Sequence, residues 1–126
     1  MKIIIFSDVP VADIGDQIEA DFCIRPEFIL SDKLNDMMLK QYQPLLDARD
    51  SLVILISSSG YGQVMDSVIR IRSFSSVPII VAARNLSRAD EYILRNAGVD
   101  DFHDSLVYDN IFCLRRRLDA GALSLL

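Results

Sequence analysis

Ser51-Leu52-Val53-Ile54-Leu55-Ile56-Ser57-Ser58-Ser59-Gly60-Tyr61-Gly62-Gln63 is an apolar run that stops abruptly at three serines and two glycines. A short uninterrupted apolar run reads as a strand covered on both faces, because a strand with one wet face alternates instead. The serine and glycine residues read as a turn. After them Val64, Val68, Ile69 and Ile71 recur at helical spacing. The stretch is therefore a strand, a tight turn and a helix.

The same unit repeats outward in both directions. Lys2–Phe6 is β-branched and reads as a buried strand. Phe22–Leu30 holds a weaker strand, broken by Pro26. Val77–Ala82 and Val99–Phe102 are the fourth and fifth. Leu34, Met37, Met38, Tyr42, Leu45 and Leu46 form one helical pattern. Ser87–Asn96 forms another, with Ser87 as N-cap, Asp90 three residues on, and Gly98 as C-cap. A last helix is expected from Tyr108 to Ala120, with Ile111, Phe112, Leu114 and Leu118 on its apolar side. Only a short first helix is expected, over Val11–Ala20. Strands alternating with helices require a parallel sheet with helices on both faces. Five strands with right-handed crossovers predict a doubly wound α/β domain of the flavodoxin-like order 2-1-3-4-5.

The chain has 126 residues, 51% of them hydrophobic, and a net charge of −5. That is enough for one well-packed core. The acidic balance argues against unaided binding of nucleic acid, since phosphate contacts supply most of that affinity. Arginines cluster at Arg70/Arg72, Arg84/Arg88/Arg95 and Arg115-Arg116-Arg117. Cys23 and Cys113 form no CxxC pair and lie in apolar context, so both are expected as buried free thiols. The opening apolar run is too short for a membrane span or a signal peptide. A cytoplasmic protein without membrane contact is expected.

In such a fold, chemistry gathers beyond the carboxyl ends of the strands. Ser7 and Asp8, Ile56 to Ser59, Ala82 and Ala83, and His103 to Ser105 are placed there. His103 has no nucleophile or acid at a motif spacing except the adjoining Asp104, and reads as a surface-loop residue. There is no triad, zinc pattern, GxGxxG or Walker loop, so neither a metal nor a cofactor is implied. The Ser57–Gly62 loop precedes a helix N-terminus and so has the form of an anion cradle.

Several blocks carry a family resemblance. Val77-Pro78-Ile79-Ile80-Val81-Ala82-Ala83 resembles the "VPIIMLTA" of response-regulator receiver domains, and Ala97-Gly98-Val99-Asp100-Asp101-Phe102 resembles their "AGADDY". Lys2-Ile3-Ile4-Ile5-Phe6-Ser7-Asp8 resembles the opening "KILIVDD". The resemblance is strong from Leu52 onward and weak between Val9 and Asp32. It implies a receiver-like unit over residues 1–121, with 122–126 a tail or the start of a linker.

A working receiver uses two acids after strand 1 and an Asp after strand 3 to hold Mg²⁺, and that Asp accepts the phosphoryl group. A Thr or Ser after strand 4 and a Lys after strand 5 bind the phosphoryl oxygens. Here Ser7 replaces the first acid and Asp8 alone remains. The acceptor position falls on Ile56, or on Ser57 with a one-residue offset. Ala83 stands at the Thr position, Ser105 at the Lys, and Leu106 at the Pro that follows it. The resemblance is thus to a degenerate receiver that cannot form an acyl phosphate. Asp8 is expected to be solvated or to cap the first helix. Phe102 matches the switch aromatic, which is expected to hold one orientation.

The resemblance is to the group that carries winged-helix domains (the OmpR type). It implies a homodimer through the fourth helix, fifth strand and fifth helix, with Ile93, Asp100, Asp101, Ile111, Leu114, Arg115 and Arg117 on that face. Glu91 and Ile111 depart from the group's charge pattern. DNA would be reached only through a separate domain outside this chain. A partner-binding adaptor is the alternative. A third reading takes "ISSSGYG" as similar to the "SxSGxT" of sugar-phosphate isomerase (SIS) domains. It lacks the Thr, an upstream Gly-rich turn and a Glu/His pair.

Overall fold

The structure, a computed structural model, describes residues 2–10, 15–16, 18–20, 23–31, 34–58, 60–83 and 86–103. Five strands run Lys2–Ser7 (β1), Glu27–Leu30 (β2), Ser51–Ser57 (β3), Ile79–Ala83 (β4) and Asp101–His103 (β5). Between them lie α1, helical at residues 15–16 and 18–20, then α2 (Asp36–Leu46), α3 (Tyr61–Phe74) and α4 (Arg88–Ala97). All strand pairs are parallel and the order is β2-β1-β3-β4-β5. This is the predicted doubly wound fold. The expected last helix and the tail lie outside the described residues.

β3 is central, and every one of its residues is buried. Strand alternation sorts the core into two layers. Ile4, Phe6, Val53, Leu55, Ile79, Val81 and Phe102 pack with Leu39 and Leu46 of α2, Val64, Val68 and Ile71 of α3, and Leu94 of α4. Ile3, Ile5, Leu52, Ile54 and Ile80 form the opposite layer and are equally shielded.

Local chemistry sets the element ends. Asn35 caps α2, its Oδ1 accepting from the Met38 N–H at 2.9 Å. Ser87 and Asp90 form a reciprocal capping box on α4, at 3.0 and 3.1 Å. α4 ends at Gly98, whose φ of +117° suits glycine. Pro26 confines the second strand to Glu27–Leu30, shorter than the expected Phe22–Leu30, because proline brings no ladder donor. Cys23 corrects an expectation: it is exposed, and its φ of +56° places it in the turn after α1.

Arg72 ties three elements together. From the last turn of α3 its guanidinium donates to the Val77 carbonyl at 2.5 Å, the Gly98 carbonyl at 2.5 Å and the Ser75 carbonyl at 3.3 Å. Asp100 lies 3.4 Å away and accepts the Ile79 N–H at 2.9 Å. Burial pushes the Arg72 pKa down, with Asp100 partly opposing. The latch fixes the approach of α4 and β5 to β4.

Candidate functional site

Sheet register decides which residue meets Asp8. Ser7 pairs with Ile56, Ile56 with Ala82, and Ser57 with Ala83. Alternation then puts Ser7, Ile56 and Ala82 on one layer. Asp8, Ser57 and Ala83 fall on the other, the layer of Phe102. Ile56, the first candidate for the acceptor position, is only 1% exposed and sits in the layer away from Asp8. Ser57 is the residue beside Asp8.

The Asp8 carboxylate closes on the β3–α3 turn. It accepts from the Ser58 N–H at 2.8 and 3.0 Å and from the Ser57 hydroxyl at 3.2 Å. The Asp8 N–H donates to the Ile56 carbonyl at 3.2 Å, continuing the β1–β3 ladder. Asp8 therefore clasps the turn rather than standing simply solvated, and the start of the expected first helix lies outside the described residues. Ser7 serves its own backbone: its hydroxyl donates to the Val9 carbonyl at 2.6 Å and accepts the Val9 N–H at 3.2 Å.

A cleft of about 280 Å³, part of it open to solvent, lies over this edge. Its walls include Ser7, Asp8, Ser31, Ser57, Gln63 and Ser67, with Phe6 and Leu34 beneath. Among the described residues, Asp8 is the one acid in these walls. Mg²⁺ prefers several hard oxygens, and this carboxylate already holds the turn. The residues do not fit the Mg²⁺ site of a working receiver. Among the described residues no three His, Cys, Asp or Glu side chains converge on a metal-sized site. The same carboxylate weakens the case for an anion in the turn, since it already accepts the Ser58 N–H and repels negative charge. α3 begins there without a side-chain cap.

Ala83 is 2% exposed and Phe102 6% exposed, both within the same core layer. The Arg95 guanidinium lies 5.0 Å from the centre of the Phe102 ring. Arg95 also donates to the Asp100 carbonyl at 3.1 Å and lies 3.8 Å from the Asp101 carboxylate. Phe102 is thus turned inward beneath an arginine lid.

Of the residues expected on the two-fold face, Ile93 is 45% exposed, and its neighbour Tyr92 is 70% exposed. Asp100 and Asp101 are both engaged within the chain. Asp100 takes Arg72 and the Ile79 N–H. Asp101 takes Arg95 and the Phe102 N–H, at 2.8 Å for the latter. Ser105, Ile111, Leu114, Arg115 and Arg117 lie outside the described residues, as does Cys113. The Asp8 clasp, the Arg72 latch and the Arg95 lid had no sequence motif to announce them. Among the described residues no helix is long and apolar enough to cross a membrane.

No family model and no curated protein matches the sequence. Solved structures do match. The pilus assembly protein CpaE from Caulobacter crescentus is similar at 14% identity, with 94% of this chain and 97% of that chain covered and a TM-score of 0.68. A two-component response regulator from Clostridium difficile is similar at 15% identity, with 94% of each chain covered and a TM-score of 0.66. RcsB from Salmonella enterica serovar Typhimurium, bound to a promoter in the presence of a phosphomimetic, is similar at 22% identity, with 95% of this chain and 67% of that chain covered and a TM-score of 0.66. At these identities the likeness establishes architecture, and the chain has the fold of response-regulator receiver domains.

Proposed function

We propose that this chain is a receiver-like signalling domain that works without phosphoryl transfer and serves as the regulatory and dimerisation domain of a transcription regulator. One observation carries the reading: Ser57, not a carboxylate, stands beside Asp8 at the carboxyl edge, and its hydroxyl is bonded to that acid. An alcohol forms a phosphate ester, not the reactive acyl phosphate that receiver chemistry turns over. Ala83, paired with Ser57 in the sheet, offers no hydroxyl to a phosphoryl oxygen. Asp8 takes the place of an incoming ligand by holding the turn itself. The state of the domain is then read by contact, through the face that carries Tyr92 and Ile93. DNA is reached through a separate domain.

Sedimentation of the wild type against Arg115→Glu, without a phosphoryl donor, tests this. A wild-type dimer and a monomeric variant support it. Two monomers refute the dimer reading and move the search to a bound partner protein.

A second reading, a protein-binding module of a larger assembly, has its own support. The CpaE likeness, at a TM-score of 0.68, is as strong as the 0.66 for the response regulator. Neither reading makes the chain an enzyme.

A further inference from the structure

α4 turns a cationic face outward. Its exposed residues are Arg88, Ala89, Tyr92, Ile93, Arg95 and Asn96. None of them is acidic, in a chain whose net charge is −5. The acids of this helix, Asp90 and Glu91, are half-buried instead, and Asp90 is held in the capping box with Ser87.

Arg88, Tyr92 and Arg95 stand at i, i+4 and i+7, so they form one stripe along the helix. The Arg88 guanidinium makes no hydrogen bond or ion pair among the described residues. Tyr92 is 70% exposed. Arg95 is fixed from below by the Asp100 carbonyl, the Asp101 carboxylate and the Phe102 ring, yet its side chain is 52% exposed. An arginine already held in place loses little rotamer freedom on binding. Arginine and tyrosine are also the residue types enriched where protein interfaces concentrate their binding energy.

We propose that the Arg88–Tyr92–Arg95 stripe docks an acidic segment of a partner protein. The two arginines are about 10 Å apart along the helix, at about 1.5 Å per residue. Carboxylates at i and i+3 of a polyproline II segment lie on one side and span about 9 Å, which matches. An apolar residue between them then lies against Tyr92. The inference rests on the reading that the domain is read by contact through its α4 face, and it names the chemistry that reads it. A second copy packed α4 against α4 is the poorer occupant, because a two-fold axis at the centre of the stripe sets Arg88 against Arg95 of that copy. Nucleic acid is poorer too, since two arginines on an acidic chain fall short of the many phosphate contacts its binding needs.

Titration of the isotope-labelled chain with the peptide acetyl-Glu-Pro-Leu-Glu-amide, followed by amide shifts, tests this. The proposal predicts saturable shifts centred on Arg88, Tyr92 and Arg95, with a Kd below about 1 mM. Acetyl-Gln-Pro-Leu-Gln-amide should bind at least about tenfold more weakly. Arg88→Glu and Tyr92→Ser, both at exposed sites, should each weaken binding at least about fivefold. Lys40→Glu, at an exposed site on α2, changes the net charge as much as Arg88→Glu and should leave binding unchanged. The amide spectrum of each variant reports that it is folded. No shifts with about 5 mM peptide overturn the proposal. So does an equal loss in Lys40→Glu, or tighter binding of a short DNA duplex at the same residues. Saturable binding centred on another face refutes the reading of α4 as the contact surface. Binding at Ile93 that ignores Arg88→Glu refutes the stripe alone.

Discussion

Replacing Arg72 with Met should destabilise the domain measurably, although the residue is only partly buried. Methionine keeps most of the aliphatic stem and loses the donors. The loss is two short bonds from a charged donor, to the Val77 and Gly98 carbonyls at 2.5 Å each. Bonds to charged groups contribute about 1.5–3 kcal/mol net. The Arg72 side chain is 22% exposed, so water partly replaces it, and the lower figure applies to each. That gives about 3 kcal/mol. The ion pair with Asp100, itself 44% exposed, adds little. Relief of the buried guanidinium returns about 1 kcal/mol. The net cost is about 2 kcal/mol, or a Tm lower by about 6–10 °C at this chain length. Urea unfolding should show a lower midpoint with an unchanged slope. Arg72→Lys should recover less than half, because one ammonium cannot serve both carbonyls. A loss under 0.5 kcal/mol, or full recovery by Lys, refutes the latch.

Gly98→Ala should cost at least about 2 kcal/mol, because φ there is +117° and the new Cβ would overlap the Arg72 side chain at Nε. In an Arg72→Ala background the cost should fall by about half, and a double-mutant cycle with no coupling would contradict the contact. Asp8→Ala should cost about 1–2 kcal/mol and speed amide exchange at Ser58 at least tenfold. Unchanged Ser58 exchange would show that the clasp does not hold the turn. Ser87→Ala should cost about 1 kcal/mol by removing the α4 cap, read by urea unfolding.

The fold was legible because β1, β3 and β4 are shielded on both faces and so appear as unbroken apolar runs. Gly98 and the Ser87 cap were legible because both are local. The site was legible only to within one residue. A slip of one position exchanges the two faces of a strand, and the apolar run ending at Ile56 gives no sign of where the site face falls. Only the pairing of Ser57 with Ala83 chooses between Ile56 and Ser57. Cys23 was misplaced because its apolar neighbours suggested a strand, whereas Pro26 delays β2. Arg72 looked like one more surface arginine, since its acceptors lie up to 28 residues away.

The central claim is that this receiver fold takes no phosphoryl group. It is tested most directly by incubating the protein with acetyl phosphate and Mg²⁺ and following intact mass together with the amide spectrum. The account predicts no added phosphoryl mass and unmoved resonances for Asp8, Ser57, Ser58 and Phe102. A stable adduct that shifts those resonances would contradict it.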